Sequence, residues 1–187
     1  MINKRDFLRI QKDLTLFDEA RERQISIARK VIQLSKLVIY SLQRDDVTAA
    51  KKHVSEMQKH VKKLSKDSLN EGITRVAHQE FVEAMTYFSF ITKGIIPSQN
   101  SLKVSTEDYL AGLCDLTGEL GRGAVQCILK GNSKGAVKIR DLVDELYGEF
   151  LKFNLPNGDL RKKADAIKWN LKKLDEIVLE IKLKDGH

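Results

Sequence analysis

The sequence predicts an all-α fold, a single-domain helical bundle of six to seven helices that spans residues 1–187. Apolar residues recur at alternating spacings of three and four along most of the chain, which is the pattern of helices with one buried face. Only two prolines and 11 glycines occur in 187 residues, so few positions break a helix. No segment shows convincing period-two alternation of apolar and polar residues, the pattern of a strand. We therefore expect one bundle of packed helices.

Composition and charge restrict the classes of function. Hydrophobic residues make up 42% of the chain and charged residues 32%, as in a globular protein rather than a disordered one. The net charge of +7 favours a polyanionic partner, nucleic acid first and an anionic membrane second. Lysine-rich helix faces exposed to water explain the charge equally well. No run approaches the roughly 20 apolar residues that span a membrane, and the N-terminus lacks the apolar segment of a signal peptide. We expect a cytoplasmic protein with no membrane partner.

The two cysteines indicate a reduced protein. Cys114 and Cys127 lie in one predicted helix, about 20 Å apart along its axis, which is beyond the reach of a disulfide. Because the chain has no C-x-x-C motif and only four histidines, we expect no zinc site.

The first quarter of the chain predicts two helices, Asn3–Leu14 and Leu16–Arg44. The second has an apolar stripe, which consists of Ile25, Ala28, Ile32, Ser35, Ile39 and Leu42. Arg29 and Lys36 are seven residues apart and share a face, and Arg21 precedes them. The pair Asp45-Asp46 then marks a break before the next helix.

The next predicted helix, Val47–Lys66, repeats the apolar pattern and has a lysine-rich outer face. The face comprises Lys51, Lys52, Lys59, Lys62, Lys63 and Lys66. Six lysines on one element suit either a solvated exterior or a surface that meets phosphate groups.

The predicted helix that follows, Asn70–Lys93, carries acids on its apolar side. Its apolar arc consists of Ile73, Ala77, Phe81, Ala84, Phe88 and Ile91. Its polar arc consists of Arg75, His78, Gln79, Thr86, Ser89 and Lys93. Glu80 projects inside the apolar arc, and Glu83 lies at its edge. A buried carboxylate is costly unless it is paired or coordinated, so we expect either an ion pair with Arg122 or Arg29, or a metal ligand.

A loop from Gly94 to Ser105 precedes the most informative stretch, Thr106–Arg122, which we predict as a helix that stops near Gly131-Asn132. Its core face consists of Tyr109, Leu113, Leu116, Leu120, Ala124 and Cys127. The opposite face consists of Ala111, Gly112, Asp115, Gly118, Glu119 and Arg122. Each glycine inside a helix costs roughly 1 kcal/mol relative to alanine. Small residues around an acid therefore indicate close approach by another helix, a metal or a ligand.

Two further helices complete the bundle, Lys134–Phe153 and Asp159–Lys184, with a turn between them. The inward residues of the first are predicted to be Val137, Leu142, Leu146 and Phe150. The second keeps a heptad of Leu160, Ala164, Ile167, Leu171, Leu174, Val178 and Ile181, which suits a bundle or an oligomer seam. Its basic residues are expected to coat the outside, namely Arg161, Lys162, Lys163, Lys168, Lys172 and Lys173.

These stretches resemble the translin family, which comprises translin and translin-associated factor X. The run E-D-Y-L-A-G-L-C-D-L-T-G-E-L-G-R, Glu107–Arg122, resembles the family's central signature. The runs N-L-P-N-G-D-L-R-K-K, Asn154–Lys163, and L-K-K-L-D-E-I-V, Leu171–Val178, are similar to translin's last turn and helix. The run Q-E-F-V-E-A, Gln79–Ala84, is similar to translin-associated factor X, the catalytic branch of the family. The resemblance covers nearly the whole chain.

The resemblance implies a subunit of about seven helices that assembles into a closed, hollow barrel, usually of eight copies, with basic residues facing inward. It implies binding of single-stranded RNA and DNA, and metal-dependent cleavage of RNA by catalytic carboxylates. Those carboxylates fall on Glu80, Glu83 and Asp115, with Glu119 as an additional acid. A short loop before the signature and trimmed termini depart from the family pattern. They suggest a single-gene, prokaryotic-type member that works as a homo-oligomer.

The leading hypothesis is a Mg²⁺-dependent endoribonuclease that acts on single-stranded or small structured RNA inside a homo-oligomeric barrel. Glu80, Glu83 and Asp115 would bind Mg²⁺ or Mn²⁺, because hard carboxylate oxygens suit these ions. The residues expected to hold the RNA backbone are Arg21, Arg29, Lys36 and Arg122. A second hypothesis is a non-catalytic protein that binds single-stranded RNA or DNA. A third is a helical adaptor that binds no nucleic acid.

Overall fold

The computed structural model describes residues 2–64 and 71–185 and contains only helices and their connections in these ranges. The elements are α1 (Lys4–Gln43), α2 (Val47–Val61), α3 (Glu71–Lys93), α4 (Gln99–Leu102), α5 (Thr106–Leu129), α6 (Ser133–Phe150) and α7 (Asp159–Asp185). The predicted all-α fold is confirmed. No helix within the described ranges has an apolar stretch long enough to cross a membrane.

The order of packing places α3 and α5 at the centre of the bundle. Helix α1 packs against α2 and α3, α3 packs against α5, and α5 packs against α6 and α7. Helices α6 and α7 also contact each other. Because α3 and α5 are each covered on more than one side, side chains from both helices face each other deep in the bundle.

The two helices predicted for the first quarter are one continuous helix, so that prediction is wrong. Asn3 caps α1 by accepting hydrogen bonds from the backbone N–H groups of Arg5 and Asp6. No proline or glycine occurs within α1. Thr15 does not break the helix, because its hydroxyl donates to Gln11 O at 3.1 Å. Buried positions begin only at Ala28. The first half of α1 therefore extends beyond the core.

The connections refine the predicted boundaries. The predicted end of α2 at Lys66 and the predicted start of α3 at Asn70 both lie outside the described residues. The segment predicted as a loop contains the short helix α4, which Ser98 caps by accepting from the backbone N–H of Ser101. Helix α5 begins at the Ser105 cap, as the serine before an acidic first turn suggests.

The predicted core stripes of α1, α2, α5 and α7 are buried in large part. The register of α6 differs, because its fully buried positions are Ala136, Ile139, Val143 and Phe150. Val137, Leu142 and Leu146, predicted to point inward, are partly exposed. Thr86 and Ser89 of α3, assigned to its polar arc, are buried because α3 is packed on two sides. The Thr86 hydroxyl satisfies itself on the carbonyls of Val82 and Glu83.

Candidate functional site

A glycine sets the distance between α3 and α5. A Cβ atom added at Gly112 would lie 2.6 Å from Val82 Cβ and 2.7 Å from Gln79 O, which is closer than atoms can approach. The absent side chain therefore lets the two backbones meet at this point. Glu83 is the residue after Val82, and Asp115 is three residues after Gly112. The close approach brings the acidic positions of the two helices together, as the small residues around Asp115 predicted.

Four carboxylates form one electrostatic cluster, which we call the acidic cluster: Glu80 and Glu83 from α3, and Asp115 and Glu119 from α5. The cluster resides at the contact between the two helices. Glu83 is the most deeply buried member, with 8% of its surface exposed. Burial, and to a smaller extent the negative charges of the other three acids, raise the pKa of Glu83 from 4.5 to about 8. Burial also raises the pKa of Glu80, with smaller contributions from Asp115 and Glu119.

Cations approach Glu80 and Glu83 without forming ion pairs with them. Lys36 of α1 lies close enough to lower the pKa of Glu80 and partly offset burial. Among the described residues, no Lys, Arg or His nitrogen lies within 4.0 Å of either glutamate. Arg122, one of the arginines expected to pair with Glu80, lies 3.4 Å from Glu119 instead. The ion-pair alternative for the two glutamates is therefore not what the structure contains.

Asp108, another buried acid on α5, has hydrogen-bond and cation partners for its carboxylate. Asp108 accepts a hydrogen bond from Ser105 Oγ at 2.8 Å and another from Gln79 Nε2 at 3.2 Å. The guanidinium of Arg75 lies 3.6 Å from the same carboxylate. Asp108 thus has the partners that a buried carboxylate normally requires, in contrast to Glu83.

Lys163 of α7 occupies one side of the acidic cluster. Its ammonium lies 2.5 Å from Asp115 Oδ2 and 3.0 Å from Gln79 Oε1. The prediction that Lys163 coats the outside of the last helix is wrong, because only about a third of its side chain is exposed. The run N-L-P-N-G-D-L-R-K-K ends on Lys163 and was the available signal for this residue.

Glu119 is held from two sides. Gln43 Nε2, near the end of α1, donates to Glu119 Oε2 at 3.0 Å. Arg122 lies one turn further along α5, at 3.4 Å from Glu119 Oε1, and 73% of its side chain is exposed. Sequence reasoning missed Gln43 because it lies four residues after the core position Ile39 and carries no distinctive motif.

The predicted nucleic-acid-binding residues divide into two groups. Lys36 and Arg122 lie at the acidic cluster, where they reduce its negative charge. Arg29 is exposed two turns before Lys36 on α1, about 10 Å along the helix axis. Arg21 is also exposed and lies about 22 Å from Lys36 along α1, so the structure does not bring it to the cluster.

The donor chemistry of the cluster fits a hard divalent cation, but its present arrangement is not that of a formed metal site. In residues 2–64 and 71–185, no three His, Cys, Asp or Glu side chains are arranged so that they could hold a metal ion. The Lys163 ammonium lies against Asp115, where an ion bound by that carboxylate would lie. Carboxylates near one another favour uptake of a cation, because a cation relieves their mutual repulsion. The assignment of a metal ion to Glu80, Glu83 and Asp115 stays a prediction, because these carboxylates would have to rearrange to hold the ion.

Comparison with protein families gives one match that spans most of the chain. The model of the Translin family matches residues 19–185. Human translin is 33% identical over 92 residues, which are 49% of this chain and 40% of the human protein. Chicken translin (Gallus gallus) is 33% identical over 86 residues, 46% of this chain and 38% of that protein. The matches therefore span well under half the length of these translins. An uncharacterised protein of Methanocaldococcus jannaschii is 27% identical over 163 residues, 83% of this chain and 73% of that protein.

Solved structures share the fold over nearly the whole chain. The crystal structure of apo-NeC3PO has a TM-score of 0.88 and 30% sequence identity, and covers 96% of this chain and 97% of that one. The structure of an AfC3PO–duplex RNA complex has a TM-score of 0.85, 22% identity, and coverage of 96% and 97%. At 22% identity, the second likeness concerns the fold.

Proposed function

Since this chain belongs to the Translin family, we propose that it is an RNA-binding, metal-dependent endoribonuclease that acts as a homo-oligomer. The observation that carries the proposal is the acidic cluster at the contact of α3 and α5. Its most buried member, Glu83, has no cation within 4.0 Å among the described residues and has a pKa of about 8. A fold gains no stability from such an arrangement, so a role in function accounts for it better.

Each acid of the cluster has a proposed role. Glu80, Glu83 and Asp115 hold Mg²⁺ or Mn²⁺, which requires Lys163 to move away from Asp115. A bound ion of this kind supplies a Lewis acid that activates water and stabilises negative charge on a scissile phosphate. Glu119, fixed by Gln43, lies one turn after Asp115 and completes the acidic wall.

The basic residues beside the cluster would position the substrate. Lys36 and the exposed Arg122 can donate hydrogen bonds to the phosphates on either side of the cleaved bond. Arg29 and Arg21 extend the basic face along α1 and would bind more distant phosphates. Lys163, once released from Asp115, becomes a further phosphate ligand. This division keeps the acids for the metal and the cations for the RNA.

The proposed substrate is single-stranded or small structured RNA, with single-stranded DNA as a second ligand for binding. One structure of the same fold, AfC3PO, is a complex with duplex RNA, which supports a nucleic acid as the partner. The net charge of +7 agrees with a polyanion. The proposed assembly is a closed homo-oligomer of eight copies, with the RNA inside it.

Cleavage of a labelled RNA tests the proposal. The protein is incubated with 5′-labelled single-stranded RNA in Mg²⁺, in Mn²⁺ and in EDTA. We expect cleavage in either metal and none in EDTA, and a loss of about 100-fold or more in Glu80→Gln and Asp115→Asn. Glu145→Gln, an exposed acid of α6, is the control and should keep full activity. Cleavage that survives Asp115→Asn would refute the assignment.

A specific observation favours a second function, the binding of RNA or DNA without catalysis. Lys163 neutralises Asp115 at 2.5 Å, and no three acids among the described residues are arranged around a metal position. If Lys163 stays paired with Asp115, the acidic cluster has no catalytic role and is only part of the surface around the bound RNA. This function predicts salt-dependent binding of single-stranded RNA, no cleavage and no effect of metal.

A further inference from the structure

A cavity of about 540 Å³ lies where the ends of α1, α3 and α5 meet the beginning of α6. Its floor is apolar and includes Leu42, Phe90 and Ile139. Its rim carries lysines, which are Lys93, Lys130, Lys134 and Lys138. We call this feature the lysine cavity. It lies outside the acidic cluster, and its lysines were not among the residues expected to bind nucleic acid.

The four lysines come from three separate segments of the chain. Lys93 ends α3, Lys130 follows the last residue of α5, and Lys134 and Lys138 lie in the first two turns of α6. Lys130 has a carboxylate partner, Asp45, at 2.5 Å, and its ammonium also donates to Gln43 O at 3.0 Å. Across residues 2–64 and 71–185, no carboxylate lies within 4.0 Å of the other three ammonium groups. The cavity therefore has an excess of positive charge.

The placement of two of these lysines works against the stability of α6. Lys134 and Lys138 are four residues apart on one helix face, where like charges repel. Lys134 lies in the first turn of α6, where the partial positive charge of the helix N-terminus disfavours cations, and this turn has no acid to offset it. An anion in the cavity would offset these unfavourable interactions.

One side chain connects the lysine cavity to the acidic cluster. Gln43 lines the cavity and donates to Glu119 Oε2 at 3.0 Å. Gln126 of α5, one turn after Arg122, also lines it. A strand with one phosphate at the acidic cluster could therefore continue past Gln43 to the lysines without leaving the protein surface.

We propose that the lysine cavity binds backbone phosphates of the RNA strand next to the phosphate at the acidic cluster. The inference rests on the proposed function for the identity of the ligand, but it concerns binding and not cleavage. Lys93, Lys134 and Lys138 are the phosphate ligands, and the apolar floor packs against a base or a ribose. Lys130 is held by Asp45 and shapes the wall.

The test is a measurement of RNA affinity in EDTA, so that no cleavage takes place. A fluorescein-labelled single-stranded RNA is titrated with wild-type protein and with the Lys134→Gln/Lys138→Gln double variant, and anisotropy is followed at several salt concentrations. Two lost phosphate contacts should lower the slope of log K against log salt by about 1.4 for a single strand. Affinity at low salt should fall by about tenfold. Lys93→Gln alone should lower the slope by about 0.7.

A matched control separates these contacts from net charge. Lys168 and Lys172 are also four residues apart, on the exposed side of α7, and their double glutamine variant changes the charge equally. Its salt slope should equal that of the wild type. Equal slopes for the two double variants would overturn the inference, as would a wild-type protein that binds no RNA.

The affinity test of the lysine cavity can succeed or fail independently of the cleavage test of the proposed endoribonuclease. A protein that cleaves RNA with unchanged affinity in the Lys134→Gln/Lys138→Gln variant contradicts this inference alone. If the wild type never cleaves RNA but the Lys134→Gln/Lys138→Gln variant shows the predicted decrease in salt slope, the result supports the lysine cavity and contradicts the endoribonuclease.

Discussion

Glu83 is the residue whose surroundings differ most from those of an ordinary surface acid. Its pKa of about 8 lies well above the usual 4.5, so the folded protein keeps a proton that the unfolded chain releases between these values. The contribution of Glu83 to the free energy of unfolding is therefore fully present below pH 4.5 and is lost as the pH rises through 8. Glu83→Gln cannot titrate at this position and should not show the loss.

Thermal unfolding in EDTA at pH 6 and pH 8.5 measures this effect. We expect the unfolding midpoint of the wild type to fall by about 4 °C more than that of Glu83→Gln, which corresponds to roughly 1–2 kcal/mol in a chain of this size. Glu145→Gln, exposed on α6, should follow the wild type. An identical pH dependence in Glu83→Gln and wild type would show that folding does not raise the pKa of Glu83.

Residues of the candidate site differ in how well the sequence predicted them. Glu80, Glu83 and Asp115 stood out because an acid on an apolar or small-residue face contradicts helical periodicity. Lys163 did not stand out, because its position on α7 is one of a series of lysines and its reach to Asp115 depends on how α7 packs against α5. Periodicity within one helix contains no information about that packing.

Helices α3 and α5 are in close contact because of Gly112, and the acidic cluster depends on this contact. Alanine normally stabilises a helix by about 1 kcal/mol relative to glycine. At Gly112 its Cβ would clash with Val82 and with the carbonyl of Gln79, so Gly112→Ala should destabilise the protein by about 2 kcal/mol.

Gly121 is the control on the same helix, because a Cβ there would have no atom within 4 Å. Gly121→Ala should stabilise the protein by about 0.5–1 kcal/mol. Urea unfolding of both variants gives the two free energies of unfolding. Equal changes in the two variants would mean that α3 and α5 are not in close contact at Gly112.

Elements were predicted well where one face is buried and poorly where packing is two-sided or absent. The stripe of α7 follows periodicity because this helix has one dominant apolar face. Thr86 and Ser89 were misassigned because α3 is covered by both α1 and α5, and the buried Thr86 hydroxyl satisfies itself on the helix backbone. The continuity of α1 was missed because its first half has no core to define a stripe.

At the scale of the whole molecule, exposed apolar surface supports the proposed oligomer. An apolar groove between α5 and α7 is lined by Val125 and Leu129, which are 45% and 74% exposed. Further exposed apolar side chains lie on the first half of α1, among them Phe7 and Leu14. Such surface is usual where chains associate.

Sedimentation tests the assembly directly. Eight copies of a 21.3 kDa chain give a particle of about 170 kDa. We expect this mass at micromolar concentration, and a smaller species in Leu129→Glu, which places a charge in the apolar groove. A wild-type protein that sediments as a monomer, or a Leu129→Glu protein of unchanged mass, would contradict this assignment of the interface.

The acidic cluster as a cation site is the central claim, and binding of Mn²⁺ followed by electron paramagnetic resonance at pH 8 tests it most directly. The account predicts saturable binding of Mn²⁺ to the wild type and to Glu145→Gln, and affinity weaker by about tenfold or more in Asp115→Asn and Glu83→Gln. A wild-type protein without saturable Mn²⁺ binding, or binding that is unchanged in both cluster variants, would contradict it.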